Sequence, residues 1–163
     1  MNQPPGTADA AIAAARIHTL GPMGLVEDHA VLVARGAVLD VVPRSAIPGT
    51  VPVLDQGDVD LAPGFVDVQV NGGGGVLFND TPDVDTLRTI AAAHRRFGTT
   101  SLLPTFITDS REKMVAAREA VERARTEGVP GILGVHFEGP FLDPRKTGAH
   151  DRGFVRAAGE EDL

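Results

Sequence analysis

The 163-residue sequence contains no cysteine, no tryptophan and no tyrosine. Without cysteine there is no disulfide and no thiolate to ligate a metal. That absence fits a cytoplasmic protein. Stacking on bases or sugars would have to use the seven phenylalanines. No run approaches the 18 uninterrupted apolar residues that a membrane-spanning helix needs. Positive charge is also scarce: 15 Lys and Arg face 22 Asp and Glu, a net charge of −7. With no basic cluster, nucleic acid and anionic membranes are poor partners. The first twenty residues include an alanine-rich patch but lack the basic start of a signal peptide. What remains is the composition of an ordinary globular chain, 42% hydrophobic and 23% charged, long enough for a real core.

Residues 1–9 are polar and proline-rich and read as a loose end. From Ala11 to about Asp60, short apolar runs alternate with turn residues. AIAAARIHTL, AVLVARGAVLDVVPRSAIP and VPVLD read as strands of a small antiparallel sheet, with a hairpin at Arg35-Gly36. This gives a first domain, residues 1–60, and a second, residues 61–163.

The pattern changes at Leu61. LAPGFVDVQVN alternates strictly. Val66, Val68 and Val70 lie on one face and turn toward flanking helices. Asp67, Gln69 and Asn71 lie on the other. TPDVDTLRTIAAAHRRFG (81–98) carries helix signals: Thr81 as cap, Pro82 at the first helical position and Gly98 at the end. Val84, Leu87, Ile90, Ala91, His94 and Phe97 share its apolar stripe. TTSLLPTFI is a second strand. Asp109 caps a second helix, with Glu112 three residues later, running to Gly128. ILGVHFE is a third strand, with Leu133, Val135 and Phe137 on one face and Gly134, His136 and Glu138 on the other. Strand, helix, strand, helix, strand spells two consecutive right-handed parallel units. If such units close into a barrel, polar residues at the carboxyl ends of the strands are where chemistry is kept. Glu138 stands there, ending an apolar run and followed at once by Gly139-Pro140.

Glu138 can be a metal ligand or a strand-end carboxylate paired with Lys or Arg. His150 reads as a ligand contact or a solvated loop histidine. Gln69 and Asn71 read as pocket lining or as polar filling. His136, two residues before Glu138, reads as hydrogen-bonded support, and His94 as structural. His18 and His29 carry no signal. Gly72–Gly75 lacks the Lys-Ser/Thr that follows a P-loop, so it reads as a flexible loop beside the pocket.

Three segments resemble the N-acetylglucosamine-6-phosphate deacetylase family of the amidohydrolase superfamily: PGFVDVQVNGGGGVLFND (63–80), GTTSLLPTFIT (98–108) and GVHFEGPFLDPRKTGAHD (134–151). The resemblance implies an α/β fold: the first three strands of a TIM-type (β/α)8 barrel, preceded by part of a small β-sandwich, with the barrel incomplete in this chain. It implies hydrolysis of the acetamide of an amino-sugar phosphate, giving glucosamine 6-phosphate and acetate. By the same resemblance Glu138 ligates a divalent metal, most often zinc, and His150 with the backbone at Ala149 contacts the sugar, beside Gln69 and Asn71. Many amidohydrolases carry His-x-His where this sequence reads Gln69-Val70-Asn71. Neutral amides are poor zinc ligands, so one zinc per complete chain is expected. The family's remaining ligands and general base, two histidines and an aspartate, come from later strands, so no catalytic base is expected here. An amino-sugar phosphate is the expected partner, and a homo-oligomer is open for the complete protein. Two other readings stay open: a non-catalytic remnant or association module, and an amidohydrolase for another N-acyl or cyclic amide compound.

Overall fold

The computed structural model describes residues 8–159. It divides between Pro63 and Gly64 into two units. In the first, the strands are β1 (Ala10–Ala13), β2 (Arg16–His18), β3 (Leu25–Glu27), β4 (His29–Ala34), β5 (Ala37–Pro43), β6 (Val53–Asp55) and β7 (Asp60–Leu61), with a 3-10 turn at Arg44–Ala46. They form two sheets, ordered β5-β4-β1-β6 and β3-β2-β7. The expected purely antiparallel sheet is therefore corrected: β1 pairs with β6, and β2 with β7, in parallel. The segments leading to β6 and β7 are long enough to return each strand in the same direction, which a hairpin cannot do. The Arg35-Gly36 hairpin forms as expected. Ala34 pairs with Ala37, and both turn residues take positive φ, 52° and 76°, the conformation that matches strand twist. Of the expected loose end, residues 1–7 lie outside the described residues. Asp9 is fixed: its N–H donates to the Val33 carbonyl at 2.8 Å and its carboxylate accepts the Arg35 N–H at 2.6 Å. Arg44 braces the unit, reaching the Asp55 carboxylate at 2.6 Å and the Ala14 carbonyl at 3.4 Å.

The second unit holds β8 (Phe65–Val70), β9 (Gly72–Gly73), β10 (Val76–Leu77), α1 (Val84–Arg95), β11 (Thr99–Ile107), α2 (Arg111–Thr126) and β12 (His136–Glu138). Its main sheet runs β12-β11-β8, all parallel, as the alternation of strand and helix predicts. Pro104 lies inside the central strand and has no N–H for the ladder. The register shifts between Leu102 and Pro104, and the Val70 N–H donates to the Thr105 hydroxyl at 2.9 Å. A side chain thus supplies an acceptor where the ladder is interrupted.

The core lies between sheet and helices. Phe78, Leu87, Ile90, Leu102, Phe106 and Val121 are its large buried members. Phe106 meets Phe78 and Phe137 edge to face, with centroids 5.7 and 6.3 Å apart. Five local expectations are corrected. The first helix is capped by Asp83, whose carboxylate accepts the Thr86 N–H at 2.8 Å, and not by Thr81. The second is capped by Ser110, not Asp109. In each case the cap is the residue immediately before the first helical one, where a side chain reaches the orphan N–H groups. Val66 and Val68 do not meet the helices: both are 60% exposed, and of the three valines only Val70 is buried. The helix α1 packs on β11, α2 and the β9–β10 hairpin, which leaves the start of β8 uncovered. Phe97, placed on the apolar stripe, is exposed because the helix has ended before it. The third strand is shorter than expected, with Ile132 contributing only an isolated bridge to Leu102. No helix among the described residues is long and apolar enough to cross a membrane.

Candidate active site

The carboxyl ends of the three parallel strands, with the loops that follow them, enclose a cavity of about 510 Å³. Glu138, the last residue of β12, lines it, as do Asn71, Ala149 and His150. Gln69, near the end of β8, donates from Nε2 to Glu138 Oε2 at 3.1 Å. All five site residues singled out in the sequence are therefore neighbours, although they span residues 69–150. Alternation delivers Gln69 and Glu138 to the same face of the sheet, across the intervening strand.

Glu138 Oε1 faces His150 Nε2 at 3.4 Å. The Glu138 side chain is 37% exposed and the His150 side chain 9%, so the carboxylate opens to the cavity while the imidazole is held from behind. That hold comes from Thr108, immediately after β11. Its backbone N–H donates to His150 Nδ1 at 3.3 Å, and its hydroxyl lies 2.8 Å from the same nitrogen. The His150 backbone N–H donates to the Thr147 carbonyl at 3.1 Å, and Thr147 is itself buried. Gly139 makes room: a Cβ there would lie 2.0 Å from Thr108 Oγ1.

Three further residues escaped the sequence reading. Thr108 is one. Asn79 lines the cavity and closes a reciprocal pair with Ile107, donating to its carbonyl at 3.1 Å and accepting its N–H at 2.9 Å. Lys146 is the only Lys or Arg among the described residues lining the cavity. Thr108 and Asn79 stand at strand and loop ends with no periodic signal; Lys146 falls inside the quoted motif and could have been singled out. Asp109, next to Thr108, does not cap a helix. Burial pushes its carboxyl up, but hydrogen bonds from the Ser110 N–H, Lys113 and Asn79 outweigh this and hold it below the usual range.

His136 is a support, as read: Nδ1 donates to the Val68 carbonyl at 2.9 Å. His94 Nε2 lies 2.9 Å from the Gly72 carbonyl. The glycine segment it touches is not a loose loop. Gly72–Gly73 pairs with Val76–Leu77 in a hairpin whose turn, Gly74-Gly75, has φ of 64° and 87°. Glycine takes these values without steric cost.

No three metal-capable side chains converge among the described residues. Glu138 and His150 do. A carboxylate with one oxygen held by Gln69 and the other facing His150 Nε2 and the cavity fits one position of a metal's coordination shell. It does not fill the three protein positions of a catalytic zinc site.

No protein-family model matches the chain. In sequence and in fold it resembles the N-terminal part of deacetylases, hydrolases that act on C–N bonds. The relatives it resembles are consistently N-acetylglucosamine- and N-acetylgalactosamine-6-phosphate deacetylases. An N-acetylgalactosamine-6-phosphate deacetylase of Shewanella sp. (strain ANA-3) is 52% identical over 102 residues, covering 63% of this chain and 26% of that protein. An N-acetylglucosamine-6-phosphate deacetylase of Haemophilus influenzae is 33% identical over 132 residues, covering 81% and 35%. The crystal structure of the Pasteurella multocida N-acetylglucosamine-6-phosphate deacetylase matches with a TM-score of 0.87 at 34% identity, covering 94% of this chain and 40% of that one. The chain thus spans about a quarter to two fifths of the length of these relatives.

Proposed function

We propose that this chain is the N-terminal part of a metal-dependent amino-sugar-phosphate deacetylase, which cleaves the acetamide of N-acetylglucosamine 6-phosphate to glucosamine 6-phosphate and acetate. The observation that carries the reading is the gathering of Asn71, Glu138, Ala149 and His150 around one cavity at the carboxyl ends of parallel strands, with Gln69 hydrogen-bonded to Glu138. Such an arrangement is where α/β folds of this kind place their chemistry. The fold is the opening three strands of a (β/α)8 barrel, and the first unit is part of a small β-sandwich.

Glu138 is the ligand this segment gives to a single divalent metal, zinc by preference. A metal held there would supply polarisation of an amide carbonyl and a bound water with its pKa lowered to about 7. Gln69 orients the carboxylate by donating to Oε2, and His150 and the Ala149 backbone contact the sugar. By the resemblance the general base comes from a later strand, so residues 1–163 by themselves are expected to be inactive. The setting is the cytoplasm, and the complete protein is a candidate homo-oligomer.

One observation favours a second substrate. The relative at 52% identity is a deacetylase of the galactosamine epimer, so N-acetylgalactosamine 6-phosphate is the alternative.

The test begins with translation of the DNA beyond the Leu163 codon in all frames. The extended product is then assayed for acetate release from both epimers. Glu138→Gln in that product should lower zinc content and turnover together. Full zinc occupancy with unchanged turnover in the variant would sink the assignment. Absence of any continuing frame would favour a non-catalytic association module.

A further inference from the structure

The two Thr108 donors decide where the His150 proton sits. A backbone N–H can only donate, and the Thr108 N–H is aimed at Nδ1. At 3.3 Å this contact favours a lone pair on that nitrogen without compelling it. A neutral imidazole has one N–H, so the proton belongs on Nε2. The Thr108 hydroxyl can turn to Nδ1 at 2.8 Å or to the Glu138 carbonyl at 3.3 Å, and the shorter contact adds a second donor to the same nitrogen. Nε2–H then points at Glu138 Oε1 and the cavity.

We propose that Thr108 is a positioning residue that holds His150 as the Nε2–H tautomer. His150 is thereby a hydrogen-bond donor to an oxygen of the ligand, and its cavity-facing nitrogen is closed to metal ligation. Of the Glu138–His150 pair, only the carboxylate remains free to take a metal. The identity of the ligand rests on the deacetylase reading; the tautomer does not. The arrangement also explains Gly139, since a side chain at that position would collide with the Thr108 hydroxyl and approach His150 Nδ1 to 3.5 Å.

The experiment uses the full chain labelled with ¹⁵N-histidine and solid-state nitrogen spectra, which read the tautomer whether the chain is monomeric or associated. His150→Gln identifies the signal by its loss. The unaltered chain should show a lone-pair nitrogen at Nδ1 and a protonated one at Nε2. Thr108→Val, close in shape but without the hydroxyl, should raise the Nδ1-protonated fraction; Thr108→Ser should restore the original spectrum. Zinc chloride should leave the Nε2–H signal in place. N-acetylglucosamine 6-phosphate should shift it, with an affinity about threefold to tenfold weaker in Thr108→Val, the scale of one hydrogen bond. A proton on Nδ1 in the unaltered chain, a Thr108→Val spectrum identical to the original, or loss of Nε2–H on adding zinc each overturns the proposal. The expected tautomer with no response to the sugar supports the positioning role and counts against the deacetylase reading.

Discussion

Substituting Gly139 by alanine probes the packing behind the candidate site. The added Cβ would lie 2.0 Å from Thr108 Oγ1 and 3.3 Å from Thr108 Cβ, where ordinary contact begins near 3.4 Å. Neither neighbour can withdraw freely, because Thr108 is buried and engaged with His150. The backbone adds its own cost, since Gly139 has φ of +89°. Holding a non-glycine residue in such a region costs about 1–3 kcal/mol. Overpacking a filled interior costs about another 1–3 kcal/mol. The sum, about 2–6 kcal/mol, is a large share of a typical stability of about 5–15 kcal/mol. The two terms separate in a double-mutant cycle. Thr108→Ala removes the hydroxyl that the new methyl strikes. In that background Gly139→Ala should cost only the backbone term, about 1–3 kcal/mol. Urea unfolding followed by circular dichroism measures all four corners. Gly139→Ala costs that are small, or identical in both backgrounds, would refute the steric reasoning.

Three further outcomes are expected. With Gln69 and Asn71 in place of a histidine pair, the extended protein should retain one tightly bound metal per chain after dialysis; elemental analysis showing two would contradict this, and changing both residues to His should favour a second ion. The Asp55 carboxyl is held at about 2 by hydrogen bonds from Arg44 and the Gly57 N–H. Its folded pKa lies below the unfolded value of 3.8, so its contribution is present above about pH 4 and fades as pH falls toward 2. The thermal-stability difference between the unaltered chain and Asp55→Asn should close over that window; a constant difference would exclude the pair as its source. Residues 1–163 should self-associate on size exclusion, because Val66 and Val68 are exposed on an edge strand of the main sheet, and Val66→Thr with Val68→Thr should reduce that association. Unchanged association would place the sticky surface elsewhere.

The parallel order of β8, β11 and β12 was legible because helical and alternating periods switch cleanly along residues 61–138. The clustering of Gln69, Asn71 and Glu138 followed from the same alternation. The motif supplied Ala149 and His150, which periodicity alone could not have placed. Other features depended on competition between neighbours. Thr81, Asp83, Asp109 and Ser110 can all cap a helix, and the choice falls to the one adjacent to the first helical turn. Val66 and Val68 share an apolar face with Val70, but burial depends on what covers that face, which a strand's own sequence does not encode. The parallel pairs β1–β6 and β2–β7 join residues more than forty positions apart, beyond the reach of any local pattern. Thr108 belongs to the same class: a threonine at a strand end signals nothing until His150, 42 residues later, arrives beside it.

The Gln69–Glu138 hydrogen bond joins the two outer strands of the sheet over the middle one, between residues 69 positions apart. Its consequence concerns the order of events in folding. The donor is in place once β8 forms, but the acceptor reaches it only after both crossovers have closed, and long closures come at an entropic cost met late in folding. A slip of β12 by one residue would put Phe137 where Glu138 belongs and send the carboxylate to the helix side. Partly built sheets therefore contain no acidic group at this position. A ligand that depends on it has nothing to bind until the last strand is home, and can add to the stability of the finished sheet alone, not speed its assembly.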